Sequence, residues 1–273
     1  MQFRSISPKR HELKKYIQYI LFNYSDNPSH KSSFTSFPNN NISLCIVKGK
    51  QVIKKNELNS YQEKATITSY LTGLYLQPNS FEVEGVLDEI CIEFTVAGYY
   101  RFFPFPVKQF MLNDDIINEA FGKNTFYFFE KIFEESDFNT RCNHIEDFLL
   151  SVLTKRNNVS FIEQVVSGID AYKLTDVNDI TGYFNCSYKK LYRAFKTYYD
   201  VSPKEYLQLL RFRKSLLEIN THPDKNLTEI SYDCGYYDQS HFIKDFRQFA
   251  KTSPKMLQKE IQDVDGNVLI TVN

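Results

Sequence analysis

The feature that most restricts this chain is an internal repeat. The segment "ITGYFNCSYKKLYRAFKTYYDVSPKEYL" (180–207) can be set over "ISYDCGYYDQSHFIKDFRQFAKTSPKML" (230–257). Ile180 faces Ile230 at an offset of 50, and beyond the Gly235 turn the match runs at 51. There Ser187 falls on Asp238, Leu191 on Phe242, Arg193 on Lys244, Phe195 on Phe246 and Tyr198 on Phe249. Ser202-Pro203 falls on Ser253-Pro254. The one-residue shift lies where a turn can absorb it. Two copies are too few for a solenoid, so the pattern predicts a duplicated supersecondary unit.

Each copy carries the same physical parts. A short apolar-patterned helix comes first, "DVNDITGYF" and then "NLTEISYDC", with Asn226 placed as an N-cap and Glu229 three positions on. After a tight turn, Ser187 or Asp238 caps a second helix. Its inward stripe is Leu191, Phe195 and Tyr198, matched by Phe242, Phe246 and Phe249. A Ser-Pro step opens the next helix with Pro at its first position, and Glu205 completes a capping box in the first copy. A helix, a short turn and an amphipathic helix with a basic outer face make a helix-turn-helix.

With the inward stripe removed, the first of these second helices presents Tyr188, Lys189, Lys190, Tyr192, Arg193 and Lys196. The other presents Gln239, Ser240, His241, Lys244, Arg247 and Gln248. Arg and Lys can pair with guanine edges or phosphates, and Gln with adenine. The amides at each helix N-terminus, behind Ser187 and Asp238, are natural phosphate donors. Between the copies "SPKEYLQLLRFRKSLLEIN" predicts about 18 helical residues, hence roughly 27 Å. That is long enough to hold two recognition helices about one DNA turn, roughly 34 Å, apart.

Formal net charge is zero over 273 residues, which by itself speaks against nucleic acid. The average hides segregation. From Cys186 to Lys214 there are eight Lys/Arg against Asp200 and Glu205, and from Gln239 to Lys259 five against Asp245. The stretch between holds Lys225 against five acids. Such blocks can build a basic face on a neutral protein.

The length suits about two domains, and the first part follows a different grammar. "NISLCIVKGKQVIKK" reads as strand, turn and strand around Lys48-Gly49-Lys50. "ATITSYLTGLYLQPNS" and "FEVEGVLDEICIEFTV" are rich in β-branched and aromatic residues and are punctuated by Gln77-Pro78-Asn79 and Gly85. Short strands in succession predict a small sandwich or barrel. After Pro104 and Pro106 the period becomes helical in "DDIINEAFGK", "NTFYFFEKIFEES" and "TRCNHIEDFLLSVLTKR". The polar cluster "TKRNNVS" (154–160) marks the boundary. The expected organisation is therefore α+β: residues 1–155 as a sheet-rich domain with helices, 160–260 as an all-α domain with two helix-turn-helix units, and 261–273 as a tail. The tail's Asp265-Gly266 predicts a terminal hairpin without an assignable role.

The basic N-terminus lacks the continuous apolar core of a signal peptide, and no apolar run approaches about 18 residues. Five dispersed cysteines without a C-x-x-C read as reduced thiols, which with the missing export signal predicts a cytoplasmic protein outside the membrane. No cofactor motif is legible.

Residues 160–260 resemble the DNA-binding domain of the AraC/XylS family of bacterial transcription regulators. "LTEISYDCGYYDQSHFIKDFRQFAKTSPKML" carries the family signature, and "SYKKLYRAF" is similar to its first recognition helix. The resemblance implies a DNA-binding regulator, more often an activator, acting on double-stranded DNA and working with RNA polymerase. The first domain would be a cupin-like module for a small-molecule effector or for homodimerisation. Lys189, Lys190, Tyr192 and Arg193, then Gln239, Ser240, His241 and Lys244, occupy the family's reading positions. Ser187, Lys196 and Arg247 join them from the helix pattern.

Within the first domain "GYYRFFPFPVKQF" (98–110) stands out for its aromatics. One reading makes Arg101, Phe103 and Phe105 an effector pocket with Arg101 meeting an anionic group; the plainer reading is a loop that packs rings under the barrel. A metal-cupin reading fails on supply, since the half holds only His11, His30 and His144, far apart. Enzyme chemistry is the rival class. Cys234, Asp238, His241 and Asp245 lie close together in sequence, but there is no G-x-S-x-G, phosphate loop or H-E-x-x-H. Cys234 falls where the helix wants a small buried residue, and His241 on the DNA-facing side. A second rival is a DNA-binding dimer that needs no effector.

Overall fold

The computed structural model describes residues 1–55, 58–103, 105–107, 115–153, 160–266 and 268–272. The expected boundary at 154–159 and the end of the aromatic segment at 108–110 lie outside the described residues.

Nine strands come first: β1 (Gln2–Ile6), β2 (Ile17–Ser25), β3 (Lys31–Ser36), β4 (Asn41–Val47), β5 (Lys50–Lys55), β6 (Leu58–Glu63), β7 (Thr68–Thr72), β8 (Asn79–Glu84) and β9 (Leu87–Thr95). One sheet has the order β1-β2-β9-β4-β7 and is antiparallel throughout. The Lys48-Gly49-Lys50 turn forms as expected, with Gly49 at φ +67°. It closes no hairpin: β4 and β5 belong to different sheets, so the turn carries the chain from one layer to the other.

Strand β9, "LDEICIEFT", shows what each layer faces. Side chains alternate across a strand. Ile90, Ile92 and Phe94 join a large apolar core with the helices, while Glu89, Cys91 and Glu93 line an interior cavity. Both faces are buried, the outward one by α1 (Ile116–Phe121), α2 (Asn124–Glu134) and α3 (Phe138–Val152). Arg141 of α3 is pinned to β9 by a two-pronged contact with Asp88, at 2.6 and 2.9 Å. Two more of its donors go to the carbonyls of Glu135 and Phe133, so four hydrogen bonds hold the buried guanidinium.

The helical part follows as α4 (Phe161–Ala171), α5 (Val177–Tyr183), α6 (Tyr188–Tyr199), α7 (Pro203–Thr221), α8 (Leu227–Asp233), α9 (Gln239–Ala250) and α10 (Pro254–Glu260). The first unit's Leu191, Phe195 and Tyr199 share one core with the barrel's outward face. The second unit gathers Phe212, Phe242, Phe246 and Phe249 around Leu209 and Leu216, and Phe37, just past β3, and Leu269 complete that core. Full burial of one such Phe stabilises by roughly 1.5–3 kcal/mol.

Two sequence expectations need correction. Tyr198 is only half-buried and Tyr199 takes the core position, because the buried stripe of α6 advances in steps of four, from Leu191 through Phe195 to Tyr199. The 261–273 tail is not a separate appendage. Its hairpin, β10 (Ile261–Val264) and β11 (Val268–Val272), pairs through β11 with β3. The second sheet thus reads β10-β11-β3-β8-β6-β5, with β6 and β8 parallel.

Candidate nucleic-acid interface

The two recognition helices are built alike. α6 and α9 each run 12 residues. The Ser187 hydroxyl accepts from the Lys190 amide at 3.3 Å, and the Asp238 carboxylate from the His241 amide at 2.7 Å. Each helix ends on a left-handed residue, Asp200 at φ +59° and Lys251 at φ +57°. The preceding short helices are capped too, α5 by Asp176 and α8 by Asn226 in a full box with Glu229. The linking helix α7 starts at Pro203 behind a Ser202–Glu205 box and is 19 residues long. At 1.5 Å per residue that is roughly 28 Å.

Burial separates the faces as the sequence implied. Leu191, Phe195, Phe242, Phe246 and Phe249 are fully buried. Lys189, Lys190, Tyr192, Arg193, Ser240, His241, Lys244 and Arg247 are exposed, and Lys196 and Gln239 are partly so. The side chains of Lys189, Arg193, Lys244 and Arg247 carry no hydrogen bond or ion pair among the described residues, and so stand available to an incoming polyanion. Others have local partners. The Lys190 ammonium sits 4.2 Å over the Phe161 ring. Lys196 donates to the Asp200 carbonyl at 3.0 Å, which turns it back onto its own helix end. Gln239 accepts from the Thr228 hydroxyl at 2.9 Å, bracing α9 against α8. Tyr192 lies beside Tyr188, and His241 lies 3.7 Å from Asp245.

The Cys234, Asp238, His241 and Asp245 group that suggested catalysis is taken up by packing, capping and a side-chain pair. Cys234 is the buried C-cap of α8, and burial pushes its thiol up to about 11, the opposite of an activated nucleophile. Asp238 is a helix cap.

The residues proposed for an effector pocket also fall elsewhere. Phe103 is fully buried, stacked on Tyr99 at 4.8 Å, and Arg101 pairs with Glu163 of α4 at 3.6 Å. Phe105 is 42% exposed. None of the three lines the barrel cavity, because the 98–103 segment is consumed in packing the barrel against α4 and α6.

The cavity instead lies between the two sheets, about 90 Å³ in volume, and is lined by residues that the sequence reading did not single out. Glu89 accepts from Asn23, Tyr61 and Tyr70 at 2.7, 2.8 and 2.8 Å. Glu93 accepts from Asn41 and Ser43 at 2.7 and 2.8 Å. Burial raises both carboxyls, that of Glu93 to about 7. Arg213, from α7 of the helical part, reaches the same cavity, and burial lowers its guanidinium from the usual range. The available signal was the alternation Glu89-x-Cys91-x-Glu93 beside Ser43-x-Cys45, polar at every second place in strands otherwise apolar.

Two like-capped helix-turn-helix units, joined by one long helix and packed on a sheet-rich domain, define a DNA-binding protein of the duplicated helix-turn-helix class. Residues 180–260 match the family described as a helix-turn-helix domain. The Msm operon regulatory protein of Streptococcus mutans is 34% identical over 125 residues, 44% of this chain and 44% of that protein. The HTH-type transcriptional activator RhaS of Salmonella schwarzengrund is 29% identical over 197 residues, 68% of this chain and 67% of its own length. The chain thus spans less than half of the Msm protein it matches. A solved structure of ToxT from Vibrio cholerae overlays on 88% of this chain and 98% of its own, at 14% identity and a TM-score of 0.48. Over its helical part the chain is thus similar to transcription regulators that carry a helix-turn-helix domain. Among the described residues no helix is long and apolar enough to cross a membrane.

Proposed function

We propose that the protein is a sequence-specific transcription activator of double-stranded DNA that reads two successive major grooves with α6 and α9. The observation that carries this reading is the pair of N-capped helices whose outer faces hold Lys189, Arg193, Lys244 and Arg247, cations without a side-chain partner among the described residues. Arg193 and Lys244 are the equivalent positions of the two copies and serve as the base-reading pair, with Ser240 and His241 beside Lys244. Lys189 and the amides behind Ser187 and Asp238 hold phosphates. The regulators among its relatives favour this reading over catalysis, for which the buried Cys234 offers no nucleophile.

The barrel cavity is the effector site, and Arg213 is the side chain through which its contents reach the DNA-reading half. Homodimerisation uses the helices α1–α3, where Tyr127 stands 64% exposed. Activation proceeds through RNA polymerase, in the cytoplasm. The test is selection of bound fragments from genomic DNA, followed by mobility shift with the double variant Arg193→Ala/Lys244→Ala. Loss of specific retardation with an unchanged unfolding midpoint is expected. Unchanged affinity for the selected site sinks the reading.

A further inference from the structure

The barrel cavity holds a donor set that reading DNA does not use. Strands β4 and β9 are neighbours, and their register sets Cys45 directly opposite Cys91. The two sulfurs lie 2.7 Å apart. Glu89 is the next residue of β9 on the same face, and one ligand atom from each of the three residues lies within 4.8 Å of the others. All three are buried.

The surroundings fix these donors in place. Glu89 is aimed by Asn23, Tyr61 and Tyr70, and Cys45 contacts the Ser43 hydroxyl at 3.2 Å. Outer contacts of this kind orient ligands in metal sites. The charge balance points the same way. The cavity wall has two carboxylates, Glu89 and Glu93, and neither makes an ion pair among the described residues. Among the described residues the single basic side chain lining it is Arg213. Two thiols side by side with a carboxylate suit a thiophilic cation better than an anionic ligand.

We propose that Cys45, Cys91 and Glu89 form a binding site for a thiophilic divalent cation of the zinc class inside the barrel. Two sulfurs and one carboxylate oxygen fill three corners of a tetrahedron, and the fourth corner faces the cavity, which has room for water or a small ligand. Metal–sulfur bonds of about 2.3 Å at tetrahedral angles hold two sulfurs roughly 3.8 Å apart. The pair therefore opens by about 1 Å on loading, within the reach of side-chain rotation. Binding breaks two S–H bonds and forms two metal–sulfur bonds, and the two protons leave to solvent with any proton carried by Glu89. No oxidant takes part.

This site deepens the reading of the cavity as the effector site, and its existence is measured without DNA, so the two readings fail separately. The full-length chain, reduced and stripped with a chelator, is titrated with cadmium(II) and followed by the thiolate-to-cadmium charge-transfer absorption and by the melting midpoint. One equivalent bound, with a raised midpoint, is the expected result. Cys45→Ser and Cys91→Ser should each weaken cadmium binding at least about 100-fold, and Glu89→Gln about 10-fold. Cys234→Ser and Cys186→Ser should leave the titration as in the parent chain. Far-ultraviolet circular dichroism establishes that each variant is folded, with Cys45→Ala and Cys91→Ala as second variants where a serine disturbs the fold. The proposal is overturned if the reduced parent chain binds no cadmium, or if the absorption survives in folded variants lacking Cys45 or Cys91.

Discussion

The hydroxyl of Tyr100 donates a hydrogen bond to the main-chain carbonyl of Tyr198 at 3.1 Å. That carbonyl lies in the last turn of α6, where a helix leaves its acceptors without internal partners. The sheet-rich domain thus finishes the end of α6. Tyr199 answers in the other direction, donating to the Val96 carbonyl at 3.4 Å, and the Tyr100 ring packs edge-on against Tyr198 at 5.3 Å. Tyr100→Phe keeps the ring and removes the hydrogen bond, so a loss of about 1 kcal/mol is expected in urea unfolding. Tyr100→Ala also empties core volume and should cost about 3–5 kcal/mol. Equal losses in the two variants would mean that ring packing contributes nothing.

The caps of the recognition helices make a second prediction. Asp238 accepts the His241 amide at 2.7 Å, a shorter contact than Ser187 makes with Lys190 at 3.3 Å. Asp238→Ala should lower stability by about 1 kcal/mol, and Ser187→Ala by less. Denaturant unfolding of both variants checks the order, and a larger loss for Ser187→Ala would contradict the cap geometry.

The helical part was legible in the sequence because its signals are local. A cap and its partner are three residues apart, as in Ser202–Glu205 and Asn226–Glu229, and the buried stripe repeats within one helix. Duplication then exposed the unit twice. The barrel resisted the same reading because its contacts are distant in sequence. Tyr19 pairs with Glu93 and Cys45 with Cys91, and β6 meets β8 in parallel. Without that register, Glu89, Cys91 and Glu93 look like ordinary alternation on a half-exposed strand. Cys45, Glu89 and Cys91 are grouped without any histidine, the residue type by which strand-based metal sites are most readily seen in a sequence. The aromatic segment around Arg101 attracted attention for its composition, yet composition alone could not separate a ligand wall from a packing surface.

The tail supplies a third prediction. Asp265-Gly266 announced a turn, but only the structure shows that β11 covers the edge of β3, with Leu269 and Ile270 buried. The Asp265 carboxylate also accepts the Ser5 amide at 2.8 Å, tying the hairpin to β1. Removing residues 261–273 uncovers the edge of β3, a template for pairing with other chains. Sedimentation velocity should show the truncated chain self-associating, beyond any assembly of the parent. A truncated chain that sediments like the parent would show that the hairpin does not guard this edge.

The recognition helices also differ in what their cations are free to do. Each phosphate neutralised by a Lys or Arg contributes about −0.9 to the slope of log affinity against log salt concentration. Lys189 and Arg247 are exposed and have no partner among the described residues, so each is positioned to meet a phosphate. Lys196 is engaged by the Asp200 carbonyl at 3.0 Å and lies 3.9 Å from Glu205. Releasing it to DNA would give up that contact. Lys189→Ala and Arg247→Ala should therefore each flatten the salt dependence of operator binding by about 1, across different DNA sequences. Lys196→Ala should leave the slope unchanged. Mobility-shift titrations at several salt concentrations measure all three slopes, and a flattened slope for Lys196→Ala would place its ammonium on the DNA instead of on the end of its own helix.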